Sequence, residues 1–280
     1  MKKLIFNKVN KDSLTDLPKV TFPGRIVVVV SSEEAERCVD YLLQQEVLGF
    51  DTETRPAFAK GTHYKCSLLQ VATQDFCFLF RLNHTGLTPD IIRLLEATSI
   101  KKVGLAWRND ILALKELGEF EAAGFIDLQD MVKAIGIEDQ SLVKIYANLF
   151  HERISKSERL SNWERDVLKD SQKNYAAIDA WACVLIYHEL VRLNETGDYS
   201  LQIVEEPKPY ENSISKTRQR GESATLPSMG VLWGYTTAGQ RHRRGRTRPC
   251  AYLKERFHRR RTLSGRFYRC TCAFFPRCSH

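Results

Sequence analysis

Long apolar runs are missing. No stretch of the 280 residues approaches the roughly 18 that a membrane-crossing helix needs, so no membrane association is expected. Behind Lys2 and Lys3 the apolar stretch stops at Asn7, without the apolar length or the small-residue cleavage site of a secretory signal. The expected location is the cytoplasm. Closely spaced cysteines are missing from the first 204 residues. Cys38, Cys66, Cys77 and Cys183 lie far apart in apolar segments, which fits reduced core thiols rather than a disulfide framework. A positive surplus is missing there too. The net charge of +8 arises in residues 205–280, which hold 17 Lys+Arg against 5 Asp+Glu, while residues 1–204 hold 25 against 29. Charge alone therefore gives no argument that the folded part binds nucleic acid.

What is present is a sequence of alternating apolar elements. The β-branched run Arg25 to Val30 reads as a buried strand, and Ser31 or Ser32 can cap the helix whose apolar positions recur at Ala35, Cys38, Val39, Leu42 and Leu43. Val47 to Glu53 is an apolar strand with an acidic end. Cys66–Ala72 and Phe76–Leu82 read as two strands joined by a turn, followed by a helix over 89–97. Residues 102–106 suggest a strand leading into a helix over 108–117. Phe125 to Leu128 is strand-like, with helical patterns at 128–135 and 141–150. A polar, irregular stretch covers 151–163, and Asp170 or Ser171 opens a long helix running to about Leu193. Early strands with helices around and after them predict an α/β fold, a mixed central sheet with helices on both sides. The expected organisation is an N-terminal arm over 1–24, a catalytic domain over 25–200, and a linker with a basic, irregular, disordered tail over 201–280.

The chemistry is carried by acids. Asp51 and Glu53 stand at i and i+2 on one strand and project from the same face. Adjacent carboxylates repel, and a divalent cation relieves that repulsion; oxygen-only ligands suit Mg²⁺ or Mn²⁺. Alone, Asp-x-Glu also fits a solvated strand end. Asp110 lies one turn into a helix after a strand, at the sheet rim, and alone fits an ordinary helix-start acid offsetting the dipole. Tyr175 and Asp179 share a helix face at i, i+4, among Ala176, Ala177, Ala180 and Ala182, small enough to let the helix approach a sheet. Alone, they fit a buried tyrosine beside an exposed acid. Lys60, His63 and Lys65 after the first pair, and His151, Arg153 and Lys156 before the last helix, fit solvated loop residues at least as well as substrate contacts.

Taken together, the segments Phe50-Asp51-Thr52-Glu53-Thr54, Val103 to Asp110 and Tyr175-Ala176-Ala177-Ile178-Asp179-Ala180 resemble the three motifs of the DnaQ-like 3′-5′ exonuclease superfamily, in its tyrosine-bearing branch. Ser67 to Ala72 is similar to a sheet strand of that family, and Leu160 to Glu164 to the approach to its last motif, as in Werner-syndrome-type exonuclease and RNase D relatives. Ile178, where a small residue is usual, is a mild departure. The resemblance spans Val47 to Leu193 and implies an RNase H-like fold. It implies catalytic Asp51, Glu53, Asp110, Tyr175 and Asp179. Two ions, Mg²⁺ or Mn²⁺, would be held by Asp51, Glu53 and Asp179 and by Asp51 with Asp110, clamping an in-line displacement. The substrate would be nucleic acid with a free 3′ end, cut to nucleoside 5′-monophosphates.

RNase D relatives carry helical modules after the catalytic core, and residues 205–280 show no such pattern, which favours DNA over RNA. An exoribonuclease of the RNase D kind is the alternative. A non-catalytic binding module on the same fold would be expected to lack a metal carboxylate, and none is missing. No helicase or polymerase motif is visible, so a partner of that kind would be a separate chain. The tail itself, with 3 Lys and 14 Arg against 15 and 10 before it, reads either as a basic arm for nucleic acid or as translation past a frameshift. Cys270, Cys272, Cys278 and His280 lack the spacing of common zinc sites.

Overall fold

A computed structural model describes residues 2–205. The tail expectations beyond residue 205, including the cysteine cluster and the arginine-rich run, lie outside the described residues. The elements in order are β1 (Lys3–Phe6), β2 (Arg25–Val29), α1 (Ser32–Leu42), β3 (Val47–Thr54), β4 (Cys66–Ala72), β5 (Phe76–Phe80), α2 (Leu82–Thr85), α3 (Pro89–Glu96), β6 (Lys101–Gly104), α4 (Arg108–Lys115), β7 (Phe125–Asp127), α5 (Leu128–Ala134), α6 (Leu142–Phe150), α7 (Asp170–Thr196) and β8 (Tyr199–Gln202). Local chemistry sets many of the boundaries. Ser31 caps α1 by accepting from Glu34 N at 3.2 Å, and Thr88 does the same for Ile91 N ahead of Pro89; each such cap contributes about 1 kcal/mol. Gln172 caps α7 by accepting from Lys169 N at 3.1 Å.

Six strands form a mixed sheet in the order β2-β5-β4-β3-β6-β7. β3–β4 and β4–β5 are antiparallel, and the remaining pairs are parallel. Side chains alternate across each strand, so the sheet feeds two apolar layers. Leu68, Ala72, Cys77 and Leu79 face α5, α6 and α7. Leu69, Val71, Phe78 and Phe80 face α1, α3 and α4. A sheet covered on both sides explains why every residue of β4 is buried. Among the described residues no helix is long and apolar enough to cross a membrane.

The segment read as an arm contains a strand. β1 pairs in parallel with β8, Lys3 opposite Tyr199 through Phe6 opposite Gln202, and Ile5 is fully buried in the α7-side core with Val20 and Phe22. The β6 strand ends at Gly104 rather than 106, because Ala106 turns into the left-handed region at φ 55°. The Asp127 carboxylate secures that turn, accepting from Ala106 N at 3.0 Å and from Gln129 N at 2.9 Å.

One close approach places α7. A Cβ on Gly49 would stand 2.0 Å from the Ala180 carbonyl oxygen and 2.8 Å from Val184 Cγ2. Glycine on β3 and fully buried Ala176, Ala177, Ala180 and Ala182 on α7 bring the two backbones together with little side chain between them.

Candidate active site

That contact brings Asp179 against the end of β3. Asp51 and Glu53 are half-buried, Asp179 is buried, and one carboxylate oxygen of each lies within 4.8 Å of the others. Asp110 stands outside this group of three. Its carboxylate accepts from the Thr52 hydroxyl, which holds it beside β3, where its charge acts on both Asp51 and Glu53. Thr52, between the two strand acids, is a positioning residue that motif spacing did not single out. Tyr175 lies one turn from Asp179, and its hydroxyl donates to the Asp179 carboxylate. The buried Trp163 ring lies 6.0 Å from the Tyr175 ring and backs it.

Electrostatics distinguishes this cluster from an ordinary acidic surface. Burial, and then the neighbouring charges of Asp179, Asp110 and Glu53, drive Asp51 well above the usual carboxylate range. Burial with Asp179 and Asp110 pushes Glu53 up to about 9. Burial raises Asp110 and Asp179 as well; the Tyr175 hydroxyl and the Lys156 charge only partly offset this at Asp179. Without a counter-ion the acids therefore retain protons. A cation held there displaces them, so binding strengthens as pH rises. An all-oxygen donor set of this kind fits a hard divalent cation.

A cleft of about 200 Å³ opens over the cluster, lined by Asp51, Tyr175 and Asp179 and walled by Lys156 and Arg159. Lys156, which sequence left open between a solvated residue and a substrate contact, thus lines the cleft with the acids, and Arg159 was not singled out at all. The other basic candidates lie elsewhere. His63 pairs with Glu116 at 2.8 Å on the surface, Arg153 donates to the Leu17 carbonyl oxygen, and His151 ends α6 at φ 57°. Lys60 and Lys65 do not line this cleft.

The family described as 3′-5′ exonuclease matches residues 26–195. The chain belongs to this 3′-5′ exonuclease family. The bifunctional 3′-5′ exonuclease/ATP-dependent helicase WRN of Mus musculus is 32% identical over 225 residues, which are 74% of this chain and 16% of that protein. The chain thus spans about a sixth of that relative's length. Among solved structures, the Aedes aegypti Nibbler EXO domain superposes with a TM-score of 0.55 at 21% identity, over 61% of this chain and 89% of that one. Escherichia coli RNase D, an exoribonuclease, gives 0.55 at 18% identity, over 60% and 44%. These likenesses establish the RNase H-like fold of the exonuclease domain. In that fold the three carboxylates and Tyr175 of the present chain converge from β3 and α7.

Proposed function

We propose that the exonuclease domain over 25–200 hydrolyses the 3′-terminal phosphodiester of nucleic acid, DNA first, releasing nucleoside 5′-monophosphates. The observation that carries this reading is the convergence of Asp51, Glu53 and Asp179 within 4.8 Å, at a cleft that Lys156 and Arg159 also line. Asp51, Glu53 and Asp179 would hold one Mg²⁺ or Mn²⁺, and Asp51 with Asp110 a second. Bound there, such ions lower the pKa of water and offset phosphate charge. Tyr175 is driven above the ordinary phenol range by burial and by the Asp179 and Glu53 charges. It therefore keeps its proton at neutral pH and acts by orienting the attacking water or the phosphate rather than as a base. Lys156 and Arg159 supply the positive charge that the scissile phosphate meets. The name of the murine relative joins an exonuclease to a helicase, which supports a helicase as a functional partner of this domain.

Digestion of 3′-labelled DNA and matched RNA with Mg²⁺, Mn²⁺ or EDTA tests the reading. Stepwise loss of the 3′ label with either ion, abolished by EDTA, is expected, with DNA degraded faster. No hydrolysis of either polymer would remove the proposal, and faster loss from RNA would move it to the exoribonuclease alternative.

A further inference from the structure

Gln70 lies in the middle of β4 and is fully buried, yet neither its amide oxygen nor its amide nitrogen finds a hydrogen-bond partner among the described residues. Buried polar groups are nearly always paired, because an unpaired one gives up its hydration with no return contact. Methionine or leucine would fill the same space and make the metal-free fold more stable. Packing alone therefore does not account for this side chain.

Its register supplies a reason. In the antiparallel β3–β4 pair, Asp51 stands opposite Gln70 and Glu53 opposite Leu68, and the register shifts only past Glu53. Opposed residues share a face of the sheet, so Gln70 lies beside Asp51 with Cβ atoms roughly 4.5–5.5 Å apart. Its other neighbours on this α7-facing side are Leu68 and Ala72 along β4 and Leu79 across on β5. All three are apolar. Glu53 lies on the diagonal, further off at roughly 7–8 Å. Asp51 is thus the first polar group on the sheet that the amide can meet, and it is the acid that both proposed ions would share. Carboxylates that hold a metal are steadied by hydrogen bonds from an outer layer of side chains. An amide N–H can supply one and brings no competing charge. We propose that Gln70 is a positioning residue: in the ion-loaded site its amide N–H donates to the Asp51 carboxylate, directly or through one water, and fixes the orientation in which that carboxylate is shared. The inference rests on the functional reading above and adds to it a residue that touches neither ion nor substrate.

The test is calorimetry of Mn²⁺ binding to the full chain, comparing wild type, Gln70→Met and Leu79→Met, with the metal-free Tm of each recorded alongside. Gln70→Met keeps the length of the side chain and loses the amide. It should raise Kd for Mn²⁺ by about tenfold to a hundredfold, while the metal-free Tm holds or rises because an unpaired buried group has gone. Leu79→Met disturbs packing on the opposite flank of Gln70 and should leave Kd unchanged. An unchanged Kd in Gln70→Met, whatever its Tm, would overturn the proposal. An equal rise in Leu79→Met would trace the loss to packing and overturn it too. Wild type that binds no Mn²⁺ would remove the metal reading itself, and this inference with it. If Gln70→Met does not fold, selective ¹⁵N-glutamine labelling decides. The side-chain amide signal missing from Gln70→Asn belongs to residue 70, and in wild type its donated proton should move downfield on saturation with Mg²⁺. A signal that stays in place would overturn the proposal.

Discussion

Two charged regions, one fully buried and one half-buried, lie side by side in the central sheet, and their surroundings treat them in opposite ways. On β6, Lys102 is fully buried, yet its ammonium donates to the carbonyl oxygens of Ala97 and Ala123, the latter at 2.8 Å, and lies 5.5 Å from the centre of the Phe125 ring. Burial lowers its pKa to about 8, but every contact around it is a neutral acceptor that the fold itself supplies. It serves as a strut. On neighbouring β3, Asp51 meets other carboxylates. Fold-only forces do not gather like charges in a half-buried corner; the arrangement suits a divalent cation. What separates structural from functional burial here is the identity of the partners, because both groups are withdrawn from water.

The sharpest way to break this comparison is truncation. Asp51→Ala or Asp179→Ala should lower 3′ hydrolysis by about 10³-fold or more while the metal-free protein melts no lower than wild type, since a repelling acid has gone. A large fall in Tm with activity retained would make these acids structural. Lys102→Met should show the converse. Leaving two part-buried carbonyls without their donor costs about 1–3 kcal/mol, read by urea unfolding, with specific activity preserved below the melting range. Tyr175→Phe removes an orienting hydroxyl and leaves the charge pattern intact, so activity should drop by about tenfold to a hundredfold without loss of metal binding by calorimetry. The smallest effect is on pH-dependent stability. Glu53 rises from an ordinary 4.5 to about 9 in the fold, so the native state binds more protons than the unfolded chain across that window. Metal-free stability should therefore fall as pH climbs from about 4.5 toward 9. Mg²⁺ should raise Tm more at pH 8 than at pH 5.5, and an equal rise at both would place the ion elsewhere.

Much of this was legible in the chain because the relevant signals are local. The i, i+2 acids on an apolar strand and the i, i+4 pair on an alanine-rich helix announce their faces by periodicity alone, and the α/β layering follows from strand and helix order. What sequence hid depends on partners far away. The β1 strand is four residues long and finds β8 nearly two hundred residues later, so nothing near Lys3 marks it. Arg81 and Lys102 sit on or beside strands where a charge ordinarily signals exposure, yet both are buried because carbonyls of distant segments receive them; for Arg81 these are Arg165 and Asp166. The same long-range anchoring gives the patternless stretch before α7 its defined course, and with it the positions of Lys156, Arg159 and Leu160. Thr52 escaped notice because a threonine in a strand is common, and only the arrival of Asp110 gives its hydroxyl a task.

The bare α-carbon at Gly49 has a consequence for how this site tolerates change. It acts as a shim of zero thickness between sheet and helix. Any side chain there lifts α7, and Asp179 travels with it. Because the acids must share one small volume, a displacement too slight to unfold the protein is already enough to separate them. Sequence drift in this interface is accordingly limited by alignment tolerance before it is limited by cohesion.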